Sequence, residues 1–299
     1  MKTPIIVLTG FLGSGKTTLL QYLLSEFHGK KVAVLVNDFG EVPVDATLLS
    51  GKGLPEEMLY EVNGGSIFCA CLKDNFILGL KALCDTNPDL ILVEASGMAD
   101  PSGIGPMIQH AGLGDTCEMM CNLCVFDAIK SLKLAANLDT IPRQVSAAHY
   151  VILNKTDLAS EAELDAATRY IKSKNNRAEI FPTTHCRFET GVLTGQVETP
   201  FALMPSLNTT ENRPDAFTIR EINATISELI SALESEADLL RVKGCLTENG
   251  RHVYISDTGA SIETTQEEAN VTPVVVIAMQ GKGEGIKQRL VEAGILAKG

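Results

Sequence analysis

The chain has 299 residues, a hydrophobic content of 45% and a formal net charge of −12. That is enough apolar material for a large core in one domain or two, and the negative balance argues against nucleic acid or an anionic membrane surface as a partner. Eight cysteines over this length do not make a disulfide framework. Nothing reads as a secretory signal, and no apolar run reaches the roughly 18 residues of a membrane span, so a cytoplasmic protein is expected.

Ile5 to Leu8 is a short apolar run that predicts a buried strand. Gly10-Phe11-Leu12-Gly13-Ser14-Gly15-Lys16-Thr17-Thr18 follows, a full G-x-x-x-x-G-K-[ST] motif. Leu19, Leu20, Leu23, Leu24 and Phe27 then recur at helical spacing. Strand, glycine loop and helix in that order are the setting a phosphate-binding P-loop requires. Gly10, Gly13, Ser14 and Gly15 would present backbone N–H groups to the α- and β-phosphates of a nucleotide, with Thr18 just beyond. Lys16 would reach the β- and γ-phosphates, and the Thr17 hydroxyl would ligate Mg²⁺.

Lys31 to Val36 predicts a second strand, running into the polar loop Asn37-Asp38-Phe39-Gly40-Glu41-Val42-Pro43-Val44-Asp45. Ligands sit at the C-terminal ends of strands in an open parallel sheet, so Asp38, Glu41 and Asp45 are candidates to face Mg²⁺ directly or through water. Position alone fits an ordinary solvated loop as well. Gly64 to Cys71 is a glycine-rich loop ending Cys69-Ala70-Cys71, with a helix predicted from about Lys73 to Cys84. Two thiols one residue apart can chelate a soft or borderline ion, or can be small buried hydrophobes.

Asp89 to Glu94 predicts a strand that is apolar until its last residue, followed by Ala95-Ser96-Gly97-Met98-Ala99-Asp100-Pro101. An acid ending such a strand, then a glycine, is how P-loop proteins place a Mg²⁺-water acid beside the γ-phosphate. Glu94 takes the acid position, and Gly97 offers an N–H to sense the γ-phosphate. Cys117, Cys121 and Cys124 have an iron–sulfur-like spacing, but the stretch reads as a strand ending at Asp127. Alternation then sends Cys121 and Cys124 to opposite faces, and core thiols are expected. Helical material is predicted from Ala128 to about Ala148.

His149 to Leu153 predicts another strand, leading into Asn154-Lys155-Thr156-Asp157. This N-K-x-D run reads as guanine recognition. The Asp157 carboxylate would accept hydrogen bonds from guanine N1–H and the 2-amino group, a donor pair adenine lacks. Asn154 would bind the base and tie down the P-loop, and the Lys155 stem would cover one face of the ring. A helix is predicted from Glu161 to about Lys174 and a strand over Arg177 to Pro182. The turn at Asn176 to Ala178 is a candidate contact to the guanine O6 edge.

Prolines and small polar residues crowd residues 196–214, which reads as a linker. Strands are expected at Phe217 to Arg220, Leu239 to Leu246, Arg251 to Ser256 and Val274 to Met279. Helices are expected at Ile222 to Leu233 and Gly285 to Ala293. The expected architecture is therefore α/β: a P-loop NTPase domain over residues 1–195 with a mostly parallel sheet flanked by helices, and a small α+β domain over residues 215–299.

These residues resemble the CobW-like GTPases, relatives of the HypB and UreG nickel-enzyme maturation proteins. The resemblance covers almost the whole chain. It rests on Gly10 to Leu20, on Asn37-Asp38-Phe39-Gly40-Glu41 as a switch loop, and on Glu94-Ala95-Ser96-Gly97-Met98-Ala99-Asp100-Pro101. Asn154-Lys155-Thr156-Asp157-Leu158 and Leu240-Arg241-Val242-Lys243-Gly244 complete it. It implies a slow GTPase that uses GTP and Mg²⁺ and assists delivery of a metal or metallo-cofactor, including a corrinoid, to a client metalloprotein or corrinoid protein. The family's G-C-x-C-C motif is reduced here to Cys69 and Cys71. A third donor for zinc, cobalt or nickel would come from Glu41, another loop, or a second subunit in a homodimer. The alternative is a metal-free, nucleotide-switched binding module. A small-molecule kinase has no need of Asn154 and Asp157.

Overall fold

The computed structural model describes residues 2–37, 58–62, 73–136, 138–194, 214–257, 261–266 and 273–297. The switch loop with Asp38, Glu41 and Asp45, the thiol loop with Cys69 and Cys71, and all but the last residue of the expected linker lie outside them. The chain forms two compact units, Met1–Thr209 and Thr210–Gly299.

The first unit is built on seven strands: β1 (Thr3–Thr9), β2 (Val32–Asn37), β3 (Leu59–Val62), β4 (Leu90–Glu94), β5 (Cys117–Asp127), β6 (Tyr150–Asn154) and β7 (Glu179–Pro182). They lie in the order β3-β2-β4-β1-β5-β6-β7, and every pairing is parallel. Parallel pairing makes each connection cross over, so both faces of the central strands are covered: β4 is buried along its whole length and β1 from Ile5 to Thr9. On one face α2 (Lys73–Asp85) and α3 (Ile104–His110) bury Phe76, Leu80, Ile104 and Ile108 against Ile5, Val7, Leu35 and Val93. On the other, α1 (Lys16–Glu26) buries Leu19, Leu20 and Leu23 against Ile6, Leu8, Val34 and Leu92. The alternation of Ile5 and Val7 with Ile6 and Leu8 is the pleat of a doubly covered strand.

β5 carries a bulge. Ile5 is opposite Met119 but Ile6 is opposite Cys121, so Met120 is the extra residue. Cys117 and Met119 therefore pack on the α2 face, while Cys121 and Leu123 pack on the α1 face. The helical stretch expected from Ala128 to Ala148 is two short helices, α4 (Lys130–Leu134) and α5 (Thr140–Ser146). Pro142 explains the break: it has no N–H to bond back into a preceding turn, but fits the first turn of a new helix. α6 (Glu161–Lys174) has the expected bounds, fixed by a capping box between Ser160 and Glu163.

The second unit is a five-stranded antiparallel sheet in the order β11-β10-β9-β12-β8. Its strands are β8 (Asp215–Ile219), β9 (Leu239–Glu248), β10 (Arg251–Asp257), β11 (Ile262–Gln266) and β12 (Val274–Ala278). α7 (Ile226–Glu234) and α8 (Gly283–Glu292) bury Leu229, Leu233, Ile286 and Leu290 against Val242, Leu246, Val274 and Val276. β9 and β10 join through Asn249 and Gly250, at φ 51° and 74°, the left-handed pair a two-residue hairpin demands. β11 was not anticipated, because Ile262-Glu263-Thr264-Thr265-Gln266 has little apolar alternation.

Candidate nucleotide site

The site lies at the C-terminal ends of β1, β4 and β6, where an open parallel sheet opens its crevice. After β1 the chain turns through Gly10, Gly13 and Gly15 at φ 131°, 74° and 115°. All three lie in the region that favours glycine. Space is as restrictive as angle. A Cβ on Gly10 would stand 2.2 Å from the Val125 carbonyl oxygen, and one on Gly15 would stand 2.5 Å from Asn154 Nδ2.

Gly15 caps α1 without a side-chain hydrogen bond, and no acid occupies the helix's first turn. The N-terminus of α1 thus carries no competing carboxylate, and the helix dipole there favours an anion. Lys16 is buried, its Nζ donating to the Phe11 carbonyl at 3.3 Å. Ser14 Oγ is buried with no hydrogen-bond partner among the described residues. A glycine cradle, an orphaned hydroxyl and a buried ammonium together fit a bound phosphate chain.

From β4, Glu94 is buried and accepts a hydrogen bond from Thr17 Oγ1 at 3.0 Å. A hydroxyl and a carboxylate at that separation form an oxygen donor set suited to Mg²⁺. Gly97 lies against the P-loop: a Cβ there would be 2.4 Å from Leu12 Cδ2 and 2.8 Å from Leu12 N. Asp100 caps the 3₁₀ turn Pro101–Gly103 by accepting from Ser102 N.

From β6, Asn154 is buried and bridges two loops. Its Nδ2 donates to the Ser14 carbonyl at 3.0 Å, and its Oδ1 accepts from Cys186 N at 2.9 Å. Lys155, at φ 62°, donates from Nζ to the Gly13 carbonyl at 2.9 Å and pairs with Asp127 Oδ2 at 2.7 Å. Asp127 Oδ1 in turn accepts from the N–H groups of Ile129 and Lys130, both at 2.9 Å. Asp157 is exposed, on the 3₁₀ turn Thr156–Leu158.

Two corrections concern the neighbourhood of Asn154. The turn at Asn176 to Ala178 precedes β7 and so lies at the N-terminal ends of the parallel strands, the opposite end of the sheet from Asn154. It is held there by Asn175, which accepts from Ala178 N at 3.0 Å and donates to the Ala148 carbonyl at 2.8 Å. The loop that meets Asn154 is Thr183 to Cys186, where His185 and Cys186 take φ 53° and 56°. Its position just past the C-terminal end of β7 was the available signal. Cys186 also donates from Sγ to the Gly15 carbonyl at 3.5 Å. Burial pushes its thiol up to about 12, so it is protonated at neutral pH. Asp127, likewise not singled out in the sequence, matters through its contact with Lys155.

The other described cysteines behave as core thiols. Cys117, Cys121 and Cys124 are buried, and burial pushes Cys121 and Cys124 up to about 12. Among the described residues no three His, Cys, Asp or Glu side chains converge as a metal site. No helix among them is long and apolar enough to cross a membrane.

Residues 4–182 match the family described as "CobW/HypB/UreG, nucleotide-binding domain". The zinc chaperone YjiA of Escherichia coli K12 is 33% identical over 250 residues, covering 80% of this chain and 74% of that protein. The zinc-regulated GTPase metalloprotein activator 1 of Schizosaccharomyces pombe is 35% identical over 200 residues, covering 62% of this chain but only 47% of its own length. A crystal structure of zinc-bound YjiA GTPase from E. coli superposes with a TM-score of 0.48 at 25% identity, covering 98% of this chain and 99% of that one.

Proposed function

We propose, from the premise that this chain belongs to the CobW/HypB/UreG family, that its GTP cycle drives delivery of a metal ion to a client protein in the cytoplasm. The chain is a GTPase. The observation that carries the nucleotide assignment is the double tie from Asn154 and Lys155 to the Ser14 and Gly13 carbonyls, with Asp157 exposed beside them. A base-reading strand end braced on a phosphate loop is the arrangement a guanine nucleotide uses.

In this reading Gly10, Gly13, Ser14, Gly15 and Thr18 cradle the phosphates and Lys16 leaves the Phe11 carbonyl to reach the γ-phosphate. Thr17 and Glu94, with Asp45, would hold Mg²⁺ directly or through water. Mg²⁺, when bound, neutralises charge on the β- and γ-phosphates. Lys16 and the backbone N–H groups, Gly97 included, hold the γ-phosphoryl oxygens as water attacks. Among the described residues no base or arginine aimed at that water is assigned, so turnover by the isolated protein is slow.

The cargo reading rests on Cys69 and Cys71, with Glu41 as the first candidate for a third donor. The names of the relatives support zinc, and cobalt, nickel or a corrinoid are the other candidates. A client metalloprotein is the partner in every version. The loss of one thiol from the family motif favours a second reading, a nucleotide-switched module without cargo. Titrating zinc into the reduced, full-length protein with GTP and with GDP tests them. Binding that depends on the nucleotide supports delivery, and no binding in either state leaves the switched module.

A further inference from the structure

The segment after β4 is gripped from outside the P-loop by two adjacent residues of α5, neither of which the reading above uses. Gln144 is buried, and its Nε2 donates both protons: to the Gly97 carbonyl at 3.1 Å and to the Ala99 carbonyl at 3.0 Å. Arg143 Nη1 pairs with Asp100 Oδ2 at 3.1 Å, while Asp100 Oδ1 accepts from Ser102 N and Oγ at 3.1 and 2.7 Å. Between these anchors the segment closes a turn, Ala99 N donating to the Ser96 carbonyl at 2.9 Å.

That turn fixes a direction. No peptide bond among the described residues is cis. The Gly97 N–H therefore points opposite to the Ser96 carbonyl, out of the turn. The carbonyl of Gly97 belongs to the next peptide, which Gln144 holds. The Ser96–Gly97 peptide is thus set by the turn on one side and by the Gln144 carboxamide on the other, with Gly97 against Leu12 of the P-loop. Both carbonyls depend on this one carboxamide, so turning either peptide away from it would leave a buried acceptor unpaired, and the turn is held in a single arrangement.

We infer that Gln144 is a positioning residue that presets the Gly97 turn for the γ-phosphate, with the Arg143–Asp100 pair as its second arm, and so makes the site prefer nucleoside triphosphate over diphosphate. This rests on the GTPase reading of the same site. A diphosphate has no γ-phosphate and draws nothing from the turn, so the two nucleotides separate the effect from general damage. Gln144 also links α5 to the turn, and α5 leads directly into β6 and the guanine-reading end. Its last residues are tied to the C-terminal end of α6 by Asn175 Nδ2, which donates to the Val145 carbonyl at 2.9 Å.

The test is calorimetric titration of the full chain with Mg²⁺-GDP and with a non-hydrolysable Mg²⁺-GTP analogue, for wild type, Gln144→Leu and Gln144→Glu. Losing two buried hydrogen bonds predicts a fall of about tenfold or more in affinity for the analogue, with GDP affinity changed by less than about twofold. kcat for GTP falls with it, and Gln144→Glu is the worse variant because an ionised carboxylate would face two carbonyls. Arg143, whose side chain is partly exposed, gives a milder pair: Arg143→Ala loses analogue affinity selectively and Arg143→Lys recovers part of it. If Gln144→Leu does not fold, the arginine pair decides. Equal loss for both nucleotides, or no loss for the analogue, overturns the inference while leaving the GTPase reading intact. A wild type that binds neither nucleotide removes both.

Discussion

Thr17 and Glu94 stand 3.0 Å apart, hydroxyl to carboxylate, although 77 positions separate them in the chain. The contact exists because β4 inserts beside β1, so the last residue of one strand faces the first helical turn that follows the other. The phosphate end of the site is assembled by strand order.

Charge and positioning at that end should control turnover. Lys16→Ala removes the ammonium and Thr17→Ala removes a hydroxyl from the Mg²⁺ donor set. Each should lower phosphate release from GTP by about 100-fold or more, with little change in thermal stability. Retention of most of the wild-type rate by either variant would sink this mechanism.

Base choice should move with one exposed residue. Asp157→Asn presents a donor where guanine needs an acceptor, so GTP affinity should fall by about 100-fold while xanthosine triphosphate gains relative to GTP. Competition binding with both nucleotides reads this directly. A wild type that binds ATP as well as GTP would show the guanine assignment to be wrong.

The thiol loop should be separable from the nucleotide site. Thiolates must be deprotonated to bind metal, and two sulfurs do not close a tetrahedral zinc site. Wild type should therefore bind zinc weakly as a monomer. Cys69→Ser with Cys71→Ser should remove that binding and any metal dependence of GTP hydrolysis, leaving GTP affinity within about twofold. Undiminished zinc binding by the double variant would place the site elsewhere.

Alkali should weaken the fold through buried thiols. Cys121, Cys124 and Cys186 are raised by burial from 9.0 to about 12. Between those values the folded chain keeps three protons that the unfolded chain loses. Their contribution is therefore complete below about pH 9 and declines as pH climbs toward about 12. Urea unfolding at about pH 8 and about pH 10 should show a loss on the order of 1 kcal/mol that each such thiol carries. Cys186→Ala should show a smaller pH-dependent loss than wild type. Parallel slopes for the two proteins would contradict this.

What could be read from the chain was local. The P-loop is contiguous, its glycines forced by backbone angle, and the N-K-x-D run sits at the end of one strand. The start of α6 is local too, since Ser160 and Glu163 cap it within a single turn. The opposite faces of Cys121 and Cys124 follow from strand alternation alone. What escaped was held by partners distant in sequence. Asp127 matters through Lys155, Cys186 through Asn154, and Gln144 through two carbonyls 45 and 47 positions earlier. The bulge at Met120 depends on register with β1, and β11 on pairing with β10.

The braces on the P-loop also divide the labour of change at the base-reading end. Asn154 and Lys155 hold the Ser14 and Gly13 carbonyls, so under the proposed guanine reading a change at either should disturb the phosphate loop as well as the base contact. Asp157 is exposed on its turn. Among these three residues, under the proposed reading, a shift from one purine to another is open through the side chain at position 157. Positions 154 and 155 are closed to such drift by their second duty.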